Sequence, residues 1–192
     1  AIAKGGADAF YSGEIAQAIA EDMKKNEALL SLEDLKAWKP THNAPLWGDY
    51  RGYQASSNQP PGGGVMLIEM LNILENFDLG SMEHNSTEYL RIVSEAMKRA
   101  TIDKDAHVGD PKFVAVPVEQ LTSKAYARDM ADEIKRGEKA EVTRFNSGAI
   151  SKDTTHISVL DRDGNCFTMT HSLGMPSGVV TPGLGFMYNG CM

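Results

Sequence analysis

Hydrophobic positions recur every three to four residues through the first two thirds of the chain, and every second residue near its end. In residues 8–25, Ile15, Ile19 and Met23 form an apolar stripe, with Glu21, Lys24 and Lys25 on the wet face of a helix. Ser31 followed by Asp34 is an N-cap pair that opens a short helix over 32–38, stopped by Pro40. Over 46–57 the pattern changes, and Trp47, Tyr50, Tyr53 and the Gly48-Asp49 pair predict an extended hairpin. Pro60-Pro61-Gly62-Gly63-Gly64 then breaks the chain. In 65–77, Val65, Met66, Leu67, Ile68, Met70, Leu71, Ile73 and Leu74 lie nearly all round a helix, which must be buried on most sides. Asn85 with Glu88 forms a capping box for a helix over 86–100, striped by Tyr89, Val93, Ala96 and Ala100. Tyr126, Met130 and Ile134 make 123–136 a further amphipathic helix.

Residues 137–153 are polar and turn-rich, and read as a mobile linker running up to Thr154. After it the period switches to two. Strands are expected at 155–161 and 165–170, and at 185–188 beyond a Gly/Pro-rich loop. Helices followed by an antiparallel sheet predict a layered α+β architecture in one structural domain.

The net charge of −7, with no Lys/Arg cluster, argues against a nucleic-acid partner. Cys166 and Cys191 make no disulfide framework and match no metal spacing, so both read as packed thiols. No apolar run is long enough to span a bilayer. The chain starts without Met and ends directly after a strand-like run, so both ends are expected to be cut from something longer.

The chemistry concentrates at 154–172. A turn at Arg162-Asp163-Gly164 that pairs Asp161 with Cys166 puts Thr155 opposite Ser172; a shift of one or two places puts Thr154 there instead. Either way a second hydroxyl comes within reach of the Thr154-Thr155 pair, able to orient a nucleophile or relay its proton. Thr and Ser are also ordinary strand residues whose cross-strand pairs only stabilise. A polar segment ending in Asp153 would let Thr154 Oγ attack the preceding carbonyl. The cut would free an α-amine whose reference pKa, about 7.7–8.0, suits a general base. The Pro-Pro-Gly-Gly-Gly run lacks the Gly-Lys-Ser/Thr ending of a phosphate loop and reads as a tight turn with close backbone packing. His42, His84 and His107 are scattered; His156 and His171 could face each other across the hairpin, but no third metal ligand is evident. Glu14, Asp103, Asp105 and Asp110 read as helix-surface and turn groups.

Asp-Thr-Thr-His-Ile-Ser-Val-Leu-Asp-Arg-Asp-Gly-Asn at 153–165 resembles the start of the small subunit of γ-glutamyltranspeptidases. Asp8-Ala9-Phe10-Tyr11-Ser12-Gly13, Leu32-Glu33-Asp34-Leu35, Tyr50-Arg51-Gly52-Tyr53, Pro61-Gly62-Gly63-Gly64, Glu95-Ala96-Met97-Lys98-Arg99-Ala100 and Gly109-Asp110-Pro111 resemble the second half of the large subunit, in order. The resemblance implies a four-layer αββα N-terminal-nucleophile hydrolase sandwich, present as a fragment. Residues 1–153 would belong to the large subunit and 154–192 would start the small one, with cleavage between Asp153 and Thr154. Thr154 would then be nucleophile and amine base, Ser172 a supporting hydroxyl where the family usually has Thr, and Thr155 a weaker support.

The implied substrate is a γ-glutamyl amide such as glutathione, with acyl transfer to water or an amine and no cofactor or metal. Gly174 departs from the family's Asn, which helps hold the glutamyl head group, and Cys191 replaces a usual Gln or Glu. These departures keep open a related cephalosporin or glutaryl acylase, and an uncleaved binding relative is the third reading. The family is often secreted or periplasmic; the sequence leaves compartment and oligomeric state open.

Overall fold

The computed structural model describes residues 1–143, 154–172 and 177–190, with the backbone alone at Thr154. The chain divides into two compact units, Ala1–Pro40 with Asn146–Met192, and Thr41–Phe145.

In the Thr41–Phe145 unit, β1 (Leu46–Tyr50) and β2 (Tyr53–Ser57) pair antiparallel, with Leu46 opposite Ser57 and Tyr50 opposite Tyr53. Arg51 and Gly52, at φ 50° and 83°, make the reversal as the two left-handed residues of a type I′ turn. The Pro-Gly run then brings α4 (Gly64–Leu74) hard against the end of β2. A Cβ at Gly64 would collide with the Asn58 carbonyl oxygen and crowd the Ser57 side chain, so only glycine opens the helix there.

α4 ends at Leu74, short of the expected 77, and is not apolar all round. Glu69 and Asn72 are buried in it, while Leu67 is exposed. α5 (Thr87–His107) outruns its expected end by seven residues, because polar Thr101 and Lys104 still leave Ala100 and Asp103 on the buried face. Its cap is Ser86, whose hydroxyl accepts the Tyr89 N–H at 3.3 Å. Asn85, at φ 61°, stands outside the helix and does not cap it.

After the short α6 (Val118–Leu121), Ser123 caps α7 (Lys124–Lys135) through the Tyr126 N–H at 3.1 Å. Ile73 of α4, Ile92 and Ala96 of α5, and Ala127, Ala131 and Ile134 of α7 form one core. Three alanines in that set leave room for the helices to approach closely. Leu46, Val65, Ile68 and Leu121 form a second cluster that ties β1 to α4 and α6.

In the other unit, the helix expected across 8–25 is two helices, α1 (Ile2–Tyr11) and α2 (Glu14–Lys25). Gly13 leaves helical geometry, and the Asp8 carbonyl accepts the Gly13 and Ser12 N–H groups at 2.8 and 3.0 Å and the Ser12 hydroxyl at 3.1 Å. α3 (Leu32–Ala37) starts at the expected N-cap pair, which is a full capping box: the Ser31 hydroxyl accepts from the Asp34 N–H at 3.2 Å, and the Asp34 carboxylate accepts from the Ser31 N–H at 2.9 Å.

Ala16 and Ile19 of α2 and Leu35 of α3 form its core, with Leu184, Phe186 and Tyr188 packed against them. No strand forms over 185–188. The Tyr188 N–H donates to the Val179 carbonyl at 3.0 Å within an irregular loop, and apolar side chains anchor that loop to the helices. The Thr181 hydroxyl, buried beneath it, donates to the Asp22 carboxylate at 2.8 Å.

Candidate active site

β3 (Thr154–Leu160) and β4 (Cys166–Ser172) form the second hairpin, and its turn decides everything above it. The Asp161 N–H donates to the Asn165 carbonyl at 3.0 Å, the Gly164 N–H donates to the Asp161 carbonyl at 3.3 Å, and Gly164 sits at φ 84°. That is a three-residue loop, a turn closed by a left-handed glycine. The Asp161 carboxylate accepts from the Asn165 side-chain amide at 2.8 Å and from the Asn165 and Asp163 N–H groups, both at 2.9 Å. These bonds, the Asn165 side chain first, hold its pKa below the usual carboxylate range.

Asp161 therefore pairs with Asn165, not with Cys166. The expected first register counted the loop one residue too long. Leu160 lies opposite Cys166, His156 opposite Thr170, Thr155 opposite His171, and Thr154 opposite Ser172.

Alternation along the strands sorts these residues into two faces. One carries position 154, His156, Ser158 and Leu160, with Ser172, Thr170, Thr168 and Cys166 across from them. The other carries Thr155, Ile157 and Val159 opposite His171, Met169 and Phe167. His156 and His171 thus lie on opposite faces and do not meet. Among the described residues no group of three His, Cys, Asp or Glu side chains is arranged for a metal.

On the polar face, His156 Nδ1 lies 2.8 Å from Thr170 Oγ1, and its Nε2 lies 3.1 Å from Ser158 Oγ and 3.0 Å from Thr168 Oγ1. Sequence reasoning weighed His156 only as a metal ligand. The signal for its hydrogen-bonded place was present in the alternation Thr-x-His-x-Ser facing Thr-x-Thr-x-Ser. Thr155 falls on the face away from Ser172, opposite His171. Asp153, Gly174 and Cys191 lie outside the described residues, as does the linker from 144 to 153.

A second polar cluster is buried among α4, α5 and α7. Asp103, expected on a helix surface, is 8% exposed and accepts the Tyr126 hydroxyl at 2.8 Å. Glu69, 1% exposed, faces it. Burial, then the neighbouring Asp103 carboxyl and its charge, push the Glu69 carboxyl up to about 9. Two carboxyls in one dry site cannot both ionise, so Glu69 keeps its proton, although neither of its buried oxygens has a partner within hydrogen-bond geometry among the described residues. Burial, together with the hydrogen bond to Asp103, raises the Tyr126 phenol as well.

Nearby, Arg99 Nη1 donates to Glu95 Oε2 at 2.6 Å, and its Nη2 donates to the Glu138 carbonyl at 3.1 Å. Burial alone would raise Glu95; the Ala140 N–H, Lys98 and Arg99 together overcome it and hold the carboxyl at about 2. These groups fasten the chain after α7 to α5 and contain no exposed nucleophile.

Solved structures of similar fold define the class. A cephalosporin acylase from Bacillus halodurans matches with a TM-score of 0.77 and 30% identity, covering 98% of this chain and 34% of that one. A γ-glutamyltranspeptidase from Helicobacter pylori matches with a TM-score of 0.68 and 39% identity, over 78% of this chain and 42% of that one. The α+β arrangement is a fragment of the N-terminal-nucleophile hydrolase fold.

The family model for gamma-glutamyltranspeptidase matches residues 1–192, and the chain belongs to that family. Among curated relatives, a glutathione hydrolase proenzyme of Escherichia coli (strain K12) is 41% identical over 198 residues, covering 100% of this chain and 34% of the relative. The acylase ACY 1 proenzyme of Pseudomonas sp. (strain SE83) is 37% identical over 194 residues, covering 100% and 35%. The chain spans about a third of the length of the relatives it matches.

Proposed function

We propose that these residues belong to an autoprocessing amidohydrolase and acyltransferase that works through an N-terminal threonine and cleaves γ-glutamyl amides such as glutathione. Residues 1–153 contribute to the large subunit and 154–192 begin the small one. Thr154 Oγ attacks the Asp153 carbonyl carbon, the C–N bond breaks, and the departing nitrogen takes the hydroxyl proton. Water then hydrolyses the ester, leaving the Asp153 carboxylate and a free Thr154 amine.

In turnover that amine accepts the Oγ proton as Oγ attacks the substrate amide, and the acyl group passes to water or to an amine. Ser172 supports the nucleophile with its hydroxyl. The observation that carries this reading is the first pair of the hairpin, Thr154 opposite Ser172. It leaves no cofactor to be supplied.

An acylase acting on β-lactam side chains is the second reading, favoured by the match to the Bacillus halodurans acylase across 98% of this chain. In the full-length precursor, Thr154→Ala is expected to abolish both self-cleavage and hydrolysis of a γ-glutamyl anilide. A denaturing gel on which that variant still splits into two subunits ends the proposal. Comparing γ-glutamyl and glutaryl anilides as substrates of the mature enzyme decides between the two acyl groups.

A further inference from the structure

We infer that His156 is a positioning residue for the reaction proposed at Thr154, and this inference rests on that reading. The hairpin carries a row of polar pairs on one face: Thr154 with Ser172, His156 with Thr170, Ser158 with Thr168. His156 is the next residue after position 154 on that face of β3, and Thr170 is the next after Ser172 on that face of β4. The imidazole therefore belongs to the layer directly beneath the proposed reacting pair.

It is held at both nitrogens, by Thr170 Oγ1 at 2.8 Å on one side and by Ser158 Oγ and Thr168 Oγ1 at 3.1 and 3.0 Å on the other. A neutral imidazole has one donor and one acceptor, whereas each hydroxyl can be either. In the tautomer with Nδ1 unprotonated, Thr170 is the donor and the ring fixes which way its proton points. A lone threonine hydroxyl on an exposed strand would rotate among its staggered positions; bonded to Nδ1 it does not.

Reacting groups stay within the geometry they need only when the layer below them is locked. Three hydroxyls on one ring, in a hairpin with both faces open, are the rigid element available for that purpose. Beyond its first pair, Thr155 and His171, the opposite face offers Ile157, Val159, Phe167 and Met169, which have no polar atom to direct a hydroxyl.

The test compares three substitutions in the full-length precursor. His156→Phe keeps the ring and loses both hydrogen bonds. His156→Asn places an amide near the Nδ1 position, and His156→Gln places one near Nε2. Self-cleavage is followed on denaturing gels, and kcat and KM are measured with a γ-glutamyl anilide.

The Phe variant is expected to lose on the order of 10- to 100-fold in self-cleavage rate and in kcat, the size of effect that slight misplacement produces. KM should stay the same. The Asn variant should recover most of that loss through Thr170, and the Gln variant should not. Equal behaviour of Asn and Gln overturns the inference, as does a loss that appears in KM alone. If the Phe variant does not fold, the Asn and Gln pair decides. A Thr154→Ala precursor that still cleaves overturns the parent reading; an inert Thr154→Ala beside a fully active Phe variant overturns the role of His156 alone.

Discussion

The core of α4, α5 and α7 and the β3–β4 hairpin treat apolar side chains in opposite ways. Ile73, Ala96 and Ile134 are completely buried, whereas Ile157, Val159 and Phe167 are 47%, 52% and 59% exposed. The helices gain their stability from apolar area removed from water. The hairpin has no such source among the described residues. A two-stranded ribbon alone is marginal in water, so its register depends on hydrogen bonds: the Asp161 turn at one end and the His156 ladder along the polar face. The helical core holds its apolar side chains out of water, and the hairpin sets hydroxyl-bearing residues opposite one another in register.

The largest test of this contrast is a core truncation. Ile134→Ala removes a buried side chain packed with Ile73 and Ile92, and should lower unfolding stability by about 2–5 kcal/mol, read from the shift in urea midpoint. A cost near zero would mean that α7 does not close this core.

The buried carboxyl pair gives the next test, and its sign follows from linkage. Glu69 has a folded-state pKa of about 9 against an ordinary value of 4.5. The folded state therefore holds a proton that the unfolded chain releases across that window. The stabilising contribution is complete below about 4.5, falls as pH rises, and is gone above about 9. At about 1.36 kcal/mol for each pH unit, the wild type should lose up to about 3 kcal/mol between roughly pH 6 and 8.5. Glu69→Gln cannot ionise and should remove that part of the slope. Parallel pH profiles for the two proteins would show that Glu69 is not the buried proton carrier.

How much of this was legible in the sequence follows from which forces act locally. The Ser31–Asp34 capping box, the helix capped by Ser123 and both hairpins were readable, because caps, periodicity and turn glycines act over a few residues. The Glu69–Asp103 pair was not. Glu69 sits inside an apolar helix and Asp103 lies far along the chain, and only packing makes them neighbours. Similarly, 185–188 alternates like a strand but has no partner strand among the described residues, and its aromatic side chains pack against α2 and α3. At the candidate site, Thr154 and Ser172 were legible as a pair. The register that joins them required counting the loop correctly, and the role of His156 required knowing which face it shares.

The turn that sets this register supplies a smaller effect. Gly164 at φ 84° has nothing near its missing Cβ, so an alanine there meets backbone strain alone. Gly164→Ala should cost about 1–2 kcal/mol. The loss should be local: amide exchange at Asp161 and Val159 speeds up while the α5 amides keep their protection. Equal loss of protection in both regions would show that the hairpin and the helices unfold as one unit, erasing the distinction drawn above.

The smallest expected effect sharpens the comparison most. Phe167→Ser removes a large aromatic side chain, yet Phe167 is 59% exposed on a face shared with Ile157, Val159 and Met169. Buried, such a loss would cost about 3–5 kcal/mol; at an exposed site it should stay within about 0.5 kcal/mol. The measurement is the unfolding midpoint of the 192-residue chain beside that of the full-length protein. In the shorter chain the variant and the wild type should unfold together, because the side chain has little buried area to lose. A cost of several kcal/mol confined to the full-length protein would place this apolar face inside a core completed by other residues, leaving the hydroxyl face as the one that must stay open to a substrate. The same cost in the 192-residue chain would mean that the hairpin is not open on both faces, and the division between a stabilising core and a positioning ribbon would fail at its first premise.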